Sequence, residues 1–395
     1  MKTIKALLVL LLTIVAVTSV NAQKLHPLRK LQLAEMAISQ LYVDTVNQQK
    51  LVEDAIRGML KELDPHSLYS TAKETKALNE PLNGSFDGIG VQFSMVEDTL
   101  LIIQPVSKGP SEKVGILAGD RIITVADTAI SGVKMERSEI MRRLRGPRGS
   151  KIKLGIKRRG VDELLYFNVT RAKIPVYSVD AYYMIRPRVG YIRIGSFGAT
   201  TYAEFMKAVD TLQTQGMHDL IIDLQENGGG YLQAAVKIIE EFLQKNDLIV
   251  YTEGRAQRRM EYRATGKGRL TKGKVYVLVN EYSASAAEIL AGAMQDQDRG
   301  TIIGRRSFGK GLVQQQLAFP DGSMIRLTIA RYYTPSGRCI QKPFTAGDNK
   351  DYEEDILARY QHGEFFSQDS IKHHGPAYHT SIGRTVYGGG GITPD

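Results

Sequence analysis

Two short stretches hold residues able to do nucleophilic chemistry. In Asn280–Glu288 the small residues Ser283, Ala284, Ser285, Ala286 and Ala287 stand where an apolar strand-like run gives way to an apolar helix. A serine there presents its Oγ beside helix N-terminal amides, which can hold a developing oxyanion. Ser285 followed three residues later by Glu288 is equally the spacing of a helix capping box, so spacing alone leaves both readings open. A serine nucleophile needs a base. None of the seven histidines (His26, His66, His218, His362, His373, His374, His379) lies in or near a strand-to-helix motif, so a Ser-His-Asp triad has no support. A lysine serves as base where burial lowers its pKa. Lys310 is the candidate, in Ser307-Phe308-Gly309-Lys310-Gly311 after the strand-like Thr301–Ile303. The flanking glycines let a long side chain turn inward, although a surface turn lysine fits the same pattern.

A third stretch, Asp223-Leu224-Gln225-Glu226-Asn227-Gly228-Gly229-Gly230, again sits between a strand and a helix. Its glycines permit positive φ and close backbone approach, as an oxyanion donor or a phosphate cradle requires. No Lys-Ser/Thr follows them and they do not space as G-x-G-x-x-G, which disfavours nucleotide binding. There is no H-E-x-x-H pattern, and the tail histidines His373, His374 and His379 read as solvated loop residues. Neither a metal nor a cofactor is called for.

The elements around these stretches follow from hydrophobic period. From Leu28 to Leu68 apolar residues recur at three- and four-residue spacing, as amphipathic helices require, and Asp64-Pro65 closes the second. From about Ser85 to Pro175 come short β-type runs (Gly90–Met95, Leu100–Gln104, Arg121–Val125, Lys151–Ile156, Glu163–Val169), interrupted by one helical stretch, Lys134–Leu144. From Val189 onward apolar strands alternate with helices: Val189–Ile194, Thr200–Gln213, Leu220–Leu224, Tyr231–Leu243, Val275–Asn280, Ala284–Met294. That order predicts βα units with buried, largely parallel strands, whose chemistry sits at strand C-terminal ends. Beyond Ala330 the chain reads as a polar, irregular tail, and it stops at Asp395 without a helix cap, as a stretch cut from a longer protein would. The expected domains are a leader at 1–22, a helical segment at 23–82, a β-rich domain at 83–175 and an αβ core with its tail at 176–395.

The 395 residues suit two or three domains. Lys2 and Lys5, the apolar run Ala6–Val17 and Val20-Asn21-Ala22 form a secretory signal pattern with cleavage after Ala22, in a run shorter than a membrane span requires. The expectation is export, to a periplasm or cell envelope. Removing 1–22 takes two lysines from a net charge of +10 and leaves a basic chain. Its basic residues are spread out, which argues against a nucleic-acid partner. The densest group, from Arg255 to Lys274, reads as a solvated hairpin. Cys339 is the single cysteine, so no intrachain disulfide forms.

Taken together, Leu60-Lys61-Glu62-Leu63-Asp64-Pro65-His66-Ser67-Leu68-Tyr69, Asn280–Glu288 and Phe308-Gly309-Lys310-Gly311-Leu312-Val313-Gln314 resemble, in order, signatures of the carboxyl-terminal processing (tail-specific) serine peptidases. The resemblance spans nearly the whole chain after the leader. It implies an α+β multidomain fold: N-terminal helices, a PDZ domain and a crotonase-like or ClpP-like αβ peptidase core. It also implies Ser285 as nucleophile, with Ser283 as nearest competitor, Lys310 as general base, Gln314 as the residue orienting that lysine, and the amides of Ala286 and of Gly229 or Gly228 as oxyanion hole. In the β-rich domain Gly88-Ile89-Gly90-Val91 resembles the loop that holds a substrate C-terminal carboxylate, and Arg145 a position linked to substrate sensing. The partners implied are protein or peptide substrates held by their C-termini, with a homo-oligomer or an adaptor left open. Gln225 and Gly228 stand where many relatives have arginine and proline, and Ala287 where serine is common, which implies a more mobile glycine loop. The alternative function is a catalytically silent PDZ scaffold that binds protein C-termini.

Overall fold

The computed structural model describes residues 26–367, 370, 371, 373 and 375–395. The leader at 1–22 and His374 lie outside them. By contact the chain divides into two units, Met1–Leu63 and Asp64–Asp395. The first holds helices α1 (Pro27–Leu41) and α2 (Gln48–Lys61). Proline begins α1, where its missing N–H costs nothing, and the Asn47 side chain caps α2 by accepting from the Lys50 N–H at 3.0 Å. The helix ends at Lys61, three residues before the Asp64-Pro65 stop.

The second unit opens with β1 (Leu68–Ser70) and α3 (Ala72–Asn79), which begins with a capping box between Thr71 and Glu74. A β-rich part follows: β2 (Ser85–Gly88), β3 (Val91–Val96), β4 (Thr99–Pro105), α4 (Pro110–Lys113), β5 (Arg121–Val125), β6 (Thr128–Ala129), α5 (Arg137–Leu144), β7 (Lys151–Lys157), β8 (Leu165–Thr170) and β9 (Ala172–Pro175). Strands β3-β4-β5-β7-β8 form an antiparallel sheet over its own core, with Leu100, Ile102, Ile122, Leu154 and Ile156 fully buried. The separate pair β2–β9 joins the entry of this part to its exit, Ser85 opposite Pro175 and Gly88 opposite Ala172.

The remainder contains β10 (Val179–Arg186), β11 (Val189–Ile194), α6 (Thr201–Thr214), β12 (Asp219–Asp223), α7 (Leu232–Glu240), β13 (Leu248–Glu253), β14 (Met260–Arg263), β15 (Val275–Val279), α8 (Ala286–Asp296), β16 (Thr301–Gly304), β17 (Leu312–Ala318), β18 (Met324–Tyr333), α9 (Lys350–Gln361), β19 (Ala377–His379) and β20 (Thr385–Tyr387). One sheet runs β10-β11-β12-β15-β16, and its last four strands are parallel. Their buried apolar runs pack against α6, α7 and α8. Parallel strands put their C-terminal ends at one edge, so the loops after Ile194, Asp223, Val279 and Gly304 meet there. A second, antiparallel sheet, β1-β18-β13-β14 with β17 on β18, carries the segment after Lys310.

One expectation fails. The stretch beyond Ala330 is not an irregular polar tail: it holds α9 and the β19–β20 hairpin, and it buries its charges in pairs. Arg338 Nη2 donates to Asp296 Oδ1 at 2.7 Å with both side chains inaccessible, and Arg306 and Arg359 share Glu364 at 2.7 and 2.9 Å. Hydropathy counts such residues as solvated, and only pairing makes their burial affordable.

Candidate active site

Ser285 ends the loop after β15 and caps α8 with φ 56° and ψ −112°, a region non-glycine residues rarely enter. Its N–H donates to Glu288 Oε2 at 2.8 Å. Ser283 is spent on structure: fully buried, it donates to the Leu224 carbonyl at 2.7 Å and accepts from the Asn280 N–H at 2.9 Å.

The glycine loop lies directly against this turn. A Cβ on Gly229 (φ 96°) would stand 2.7 Å from the Ala284 carbonyl oxygen and 2.8 Å from Ser285 Cβ, and one on Gly230 2.1 Å from the Phe197 carbonyl oxygen. Only glycine permits that approach. Buried Asn227 ties the loop down: its Nδ2 donates to the Ile194 carbonyl at 2.7 Å, its Oδ1 accepts the Gly229 N–H at 2.8 Å, and its carbonyl accepts the Ala284 N–H at 2.9 Å. Asn280 adds a second tether, accepting the Glu226 N–H at 3.0 Å. With the Gly229 N–H committed to Asn227, the Gly228 and Ala286 N–H groups beside Ser285 remain among the donors without an acceptor in the described residues.

Lys310 Nζ donates to Gln314 Oε1 at 3.3 Å, and Gln314 Nε2 donates to the His66 carbonyl at 2.5 Å. That carbonyl is fixed by an Asx turn. Asp64 Oδ1 accepts the N–H groups of His66 and Ser67 at 2.9 and 3.0 Å, and its Oδ2 accepts the Ser67 hydroxyl at 2.6 Å. Burial, with Arg326 nearby, holds the Lys310 ammonium below the usual lysine pKa, against the opposing pull of Glu288 and Asp64. His66 is also pushed down by burial and by Lys310, to about 4, and its ring bonds Tyr352 Oη at 2.7 Å.

Two buried groups join the serine turn to the lysine loop, and neither linking role was read from the sequence. Glu288, inaccessible to solvent, accepts the N–H of Ser285 and of Lys310 at one oxygen, each at 2.8 Å; its other oxygen takes the Ser307 hydroxyl at 2.5 Å and the Gly309 N–H at 2.6 Å. Burial pushes its carboxyl upward, yet all four neighbours donate to it, the arrangement an ionised carboxylate requires. Tyr332 Oη donates to the Lys310 carbonyl at 2.6 Å and reaches the Ser285 carbonyl at 3.2 Å. The capping-box spacing signalled one of the contacts of Glu288; nothing local signalled Tyr332.

Ser285, Ala286, Gly228, Gly229, Lys310 and Gln314 therefore line one cavity of about 360 Å³, together with Leu82, Tyr231, Ile289, Arg326 and Tyr332. Among its described lining residues there is no carboxylate. A second cavity, about 150 Å³, brings together Gly88, Ile89, Gly90, Val91 and Arg145 with Phe86, Phe93 and Leu144. The Ile89 and Gly90 carbonyls turn inward, to Ser111 and to the Val106 N–H. The Arg145 guanidinium pairs with Glu80 and lies 4.6 Å over the Phe86 ring. No group of three or more His, Cys, Asp or Glu among the described residues is placed to hold a metal.

Residues 188–353 match the model of peptidase family S41, residues 88–169 that of a PDZ domain, and residues 13–75 that of the activating protease CtpB N-terminal domain. The chain is 39% identical to a carboxy-terminal-processing protease of Bartonella bacilliformis over 76% of this chain and 69% of that one. It is 35% identical to the carboxy-terminal processing protease CtpB of Bacillus subtilis over 83% and 68%. Against the solved photosystem II D1 C-terminal processing protease the TM-score is 0.44 at 30% identity, covering 78% of this chain and 89% of that chain. The chain spans about two thirds of the length of the curated relatives. It belongs to peptidase family S41, among the PDZ-containing carboxy-terminal processing proteases, a family of serine-type peptidases.

Proposed function

We propose that the chain is an exported endopeptidase that takes protein C-termini in its PDZ domain and cleaves peptide bonds with Ser285 and Lys310 through an acyl-enzyme. The observation that carries this reading is the gathering of Ser285, Lys310, Gln314 and two free backbone donors around one cavity. Neutral Lys310 takes the Ser285 proton as Oγ bonds to the scissile carbonyl carbon, and the carbonyl oxygen gains a charge that the Ala286 and Gly228 N–H groups receive. The Lys310 ammonium then protonates the leaving nitrogen as the C–N bond breaks. Water attacks the ester, giving its proton to Lys310, and the ester C–O bond breaks as Ser285 recovers its proton. Gln314, anchored on the His66 carbonyl, fixes the amine through this cycle. The Gly88–Val91 turn and Arg145 receive the substrate's terminal carboxylate, and the peptide adds to the sheet edge.

The test is cleavage of an unfolded protein by the mature chain, comparing wild type with Ser285→Ala and Lys310→Ala after matching their circular dichroism. Each substitution is expected to lower kcat by roughly 10⁴-fold or more, as loss of a nucleophile or its base does in other serine hydrolases. Equal activity in all three would place the nucleophile elsewhere. No activity in any would favour the silent scaffold, or a requirement for a second copy or an adaptor. Export rests on the pattern at 1–22. N-terminal sequencing of protein recovered from the cell envelope should begin at Gln23, and a chain retained in the cytoplasm with Met1 would refute it.

A further inference from the structure

The β17–β18 hairpin follows Lys310, and its register pairs Gln314 with Thr328 and Gln316 with Arg326. Gln314 and Gln316, two residues apart on one strand, share a face of the sheet, and both line the catalytic cavity with Arg326. The Arg326 side chain is half-buried, yet among the described residues it has neither a carboxylate partner nor a hydrogen-bond acceptor. Burial lowers its pKa against an opposing pull from the Tyr231 hydroxyl, but a guanidinium stays charged at any working pH. Elsewhere this chain gives its withdrawn arginines an acceptor: fully buried Arg338 pairs with Asp296 and Arg306 and Arg359 with Glu364, while half-buried Arg171 and Arg299 donate to backbone carbonyls. A cation withdrawn from water without a partner is costly and is met by an incoming anion. The absence of a carboxylate in the cavity's described lining leaves the substrate to supply it.

We infer that Arg326 forms a subsite for a substrate carboxylate, either an Asp or Glu side chain or the α-carboxylate of a short tail, about two or three residues from the scissile bond. The spacing follows from the hairpin. Arg326 lies across from Gln316, one strand repeat of about 7 Å beyond the Gln314 that holds Lys310, and an extended peptide advances about 3.3 Å per residue. The inference rests on the peptidase reading of this cavity, and its test separates the two.

Fluorogenic peptides paired as Glu and Gln at each position from three before to three after the scissile bond, each with a free-acid or an amidated end, would be compared in wild type, Arg326→Gln and Arg326→Lys. The wild type should favour Glu at one position, or the free acid, by roughly tenfold in kcat/KM, as a charge-assisted pair does. In Arg326→Gln that ratio should fall to about one, and Arg326→Lys should keep part of it. Because the ratio is taken within each variant, a change in the basicity of Lys310 cancels. A preference confined to the chain end assigns the α-carboxylate; one at an internal position assigns the side chain. Absence of any carboxylate preference in wild type, or its persistence in Arg326→Gln, would overturn the subsite. The same pairs bound to Ser285→Ala with and without Arg326→Gln, read by fluorescence anisotropy, give the ratio without turnover. A preference there with no cleavage by wild type would leave the subsite standing and point to the silent scaffold or to a missing second copy or adaptor.

Discussion

Lys310 can act as a base only when neutral, so its surroundings set the working pH. Burial and Arg326 lower its pKa while Glu288 and Asp64 raise it. The net direction is down, so kcat/KM should rise with pH through a value below the ~10.4 of free lysine and level off above it. His66, held to about 4, stays neutral over that range and adds no second limb. Glu288→Gln removes the buried charge that favours the ammonium. Its acid limb should therefore move to lower pH. Its plateau should also fall at least tenfold, because an amide N–H now faces groups that themselves donate and unmet buried donors cost about 1–3 kcal/mol each. A pH profile with the melting temperature measured alongside checks both effects; a limb that stays fixed or moves up would show that the Glu288 charge does not reach Lys310.

At the level of elements, the geometry depends on holding the α8 turn against the loop before β17. Glu288 gathers the N–H groups of Ser285 and Lys310, while Tyr332, on β18, gathers their carbonyls. Tyr332→Phe removes one shared hydroxyl and no charge. It should cost about 1 kcal/mol of stability and lower kcat with little change in KM, leaving the acid limb in place, the opposite signature to Glu288→Gln. A shifted limb would assign Tyr332 an electrostatic role instead. The βα elements were legible because their parallel strands are rich in apolar residues: β15, Val-Tyr-Val-Leu-Val, falls at Val275–Val279 within the Val275–Asn280 read from the sequence, and β11 falls at Val189–Ile194. The β17–β18 hairpin was not legible, since Gln314, Gln315 and Gln316 give no apolar alternation and two of them line the catalytic cavity. The Leu60–Tyr69 signature could be seen, but its use could not. The Asx turn of Asp64 delivers a carbonyl to Gln314 across 248 residues, and no local pattern encodes that distance. The segment after Ala330 failed for the reason already given: its polar residues are partners. Asp296→Ala, which strands Arg338 in the interior, should cost about 3–5 kcal/mol in urea denaturation, far more than a surface substitution.

For the molecule as a whole, the proposed function requires two cavities to serve one substrate, and both lie in the unit Asp64–Asp395. The chain connects them by a short route. Arg145, lining the smaller cavity, pairs with Glu80 at the end of α3; α3 follows β1, and β1 pairs with β18, the strand that carries Arg326, Thr328 and Tyr332. Arg145 is thus already occupied by a carboxylate, and a substrate chain end arriving at Gly88–Val91 would compete with Glu80 for the same guanidinium. Glu80→Gln removes the competitor while keeping the shape of the side chain. The pair is only partly exposed, so its loss is worth about 1 kcal/mol, and a peptide with a free C-terminus should bind roughly fivefold more tightly to the variant. Its amidated counterpart should not change. Tighter binding of both peptides would mean that Glu80 merely obstructs the groove, and unchanged binding of both would place the terminal carboxylate on the Gly88–Val91 amides alone. Tightening of the free acid alone, lost again in Glu80→Gln/Arg145→Gln, would identify Arg145 as the group that exchanges an internal carboxylate for the substrate's own.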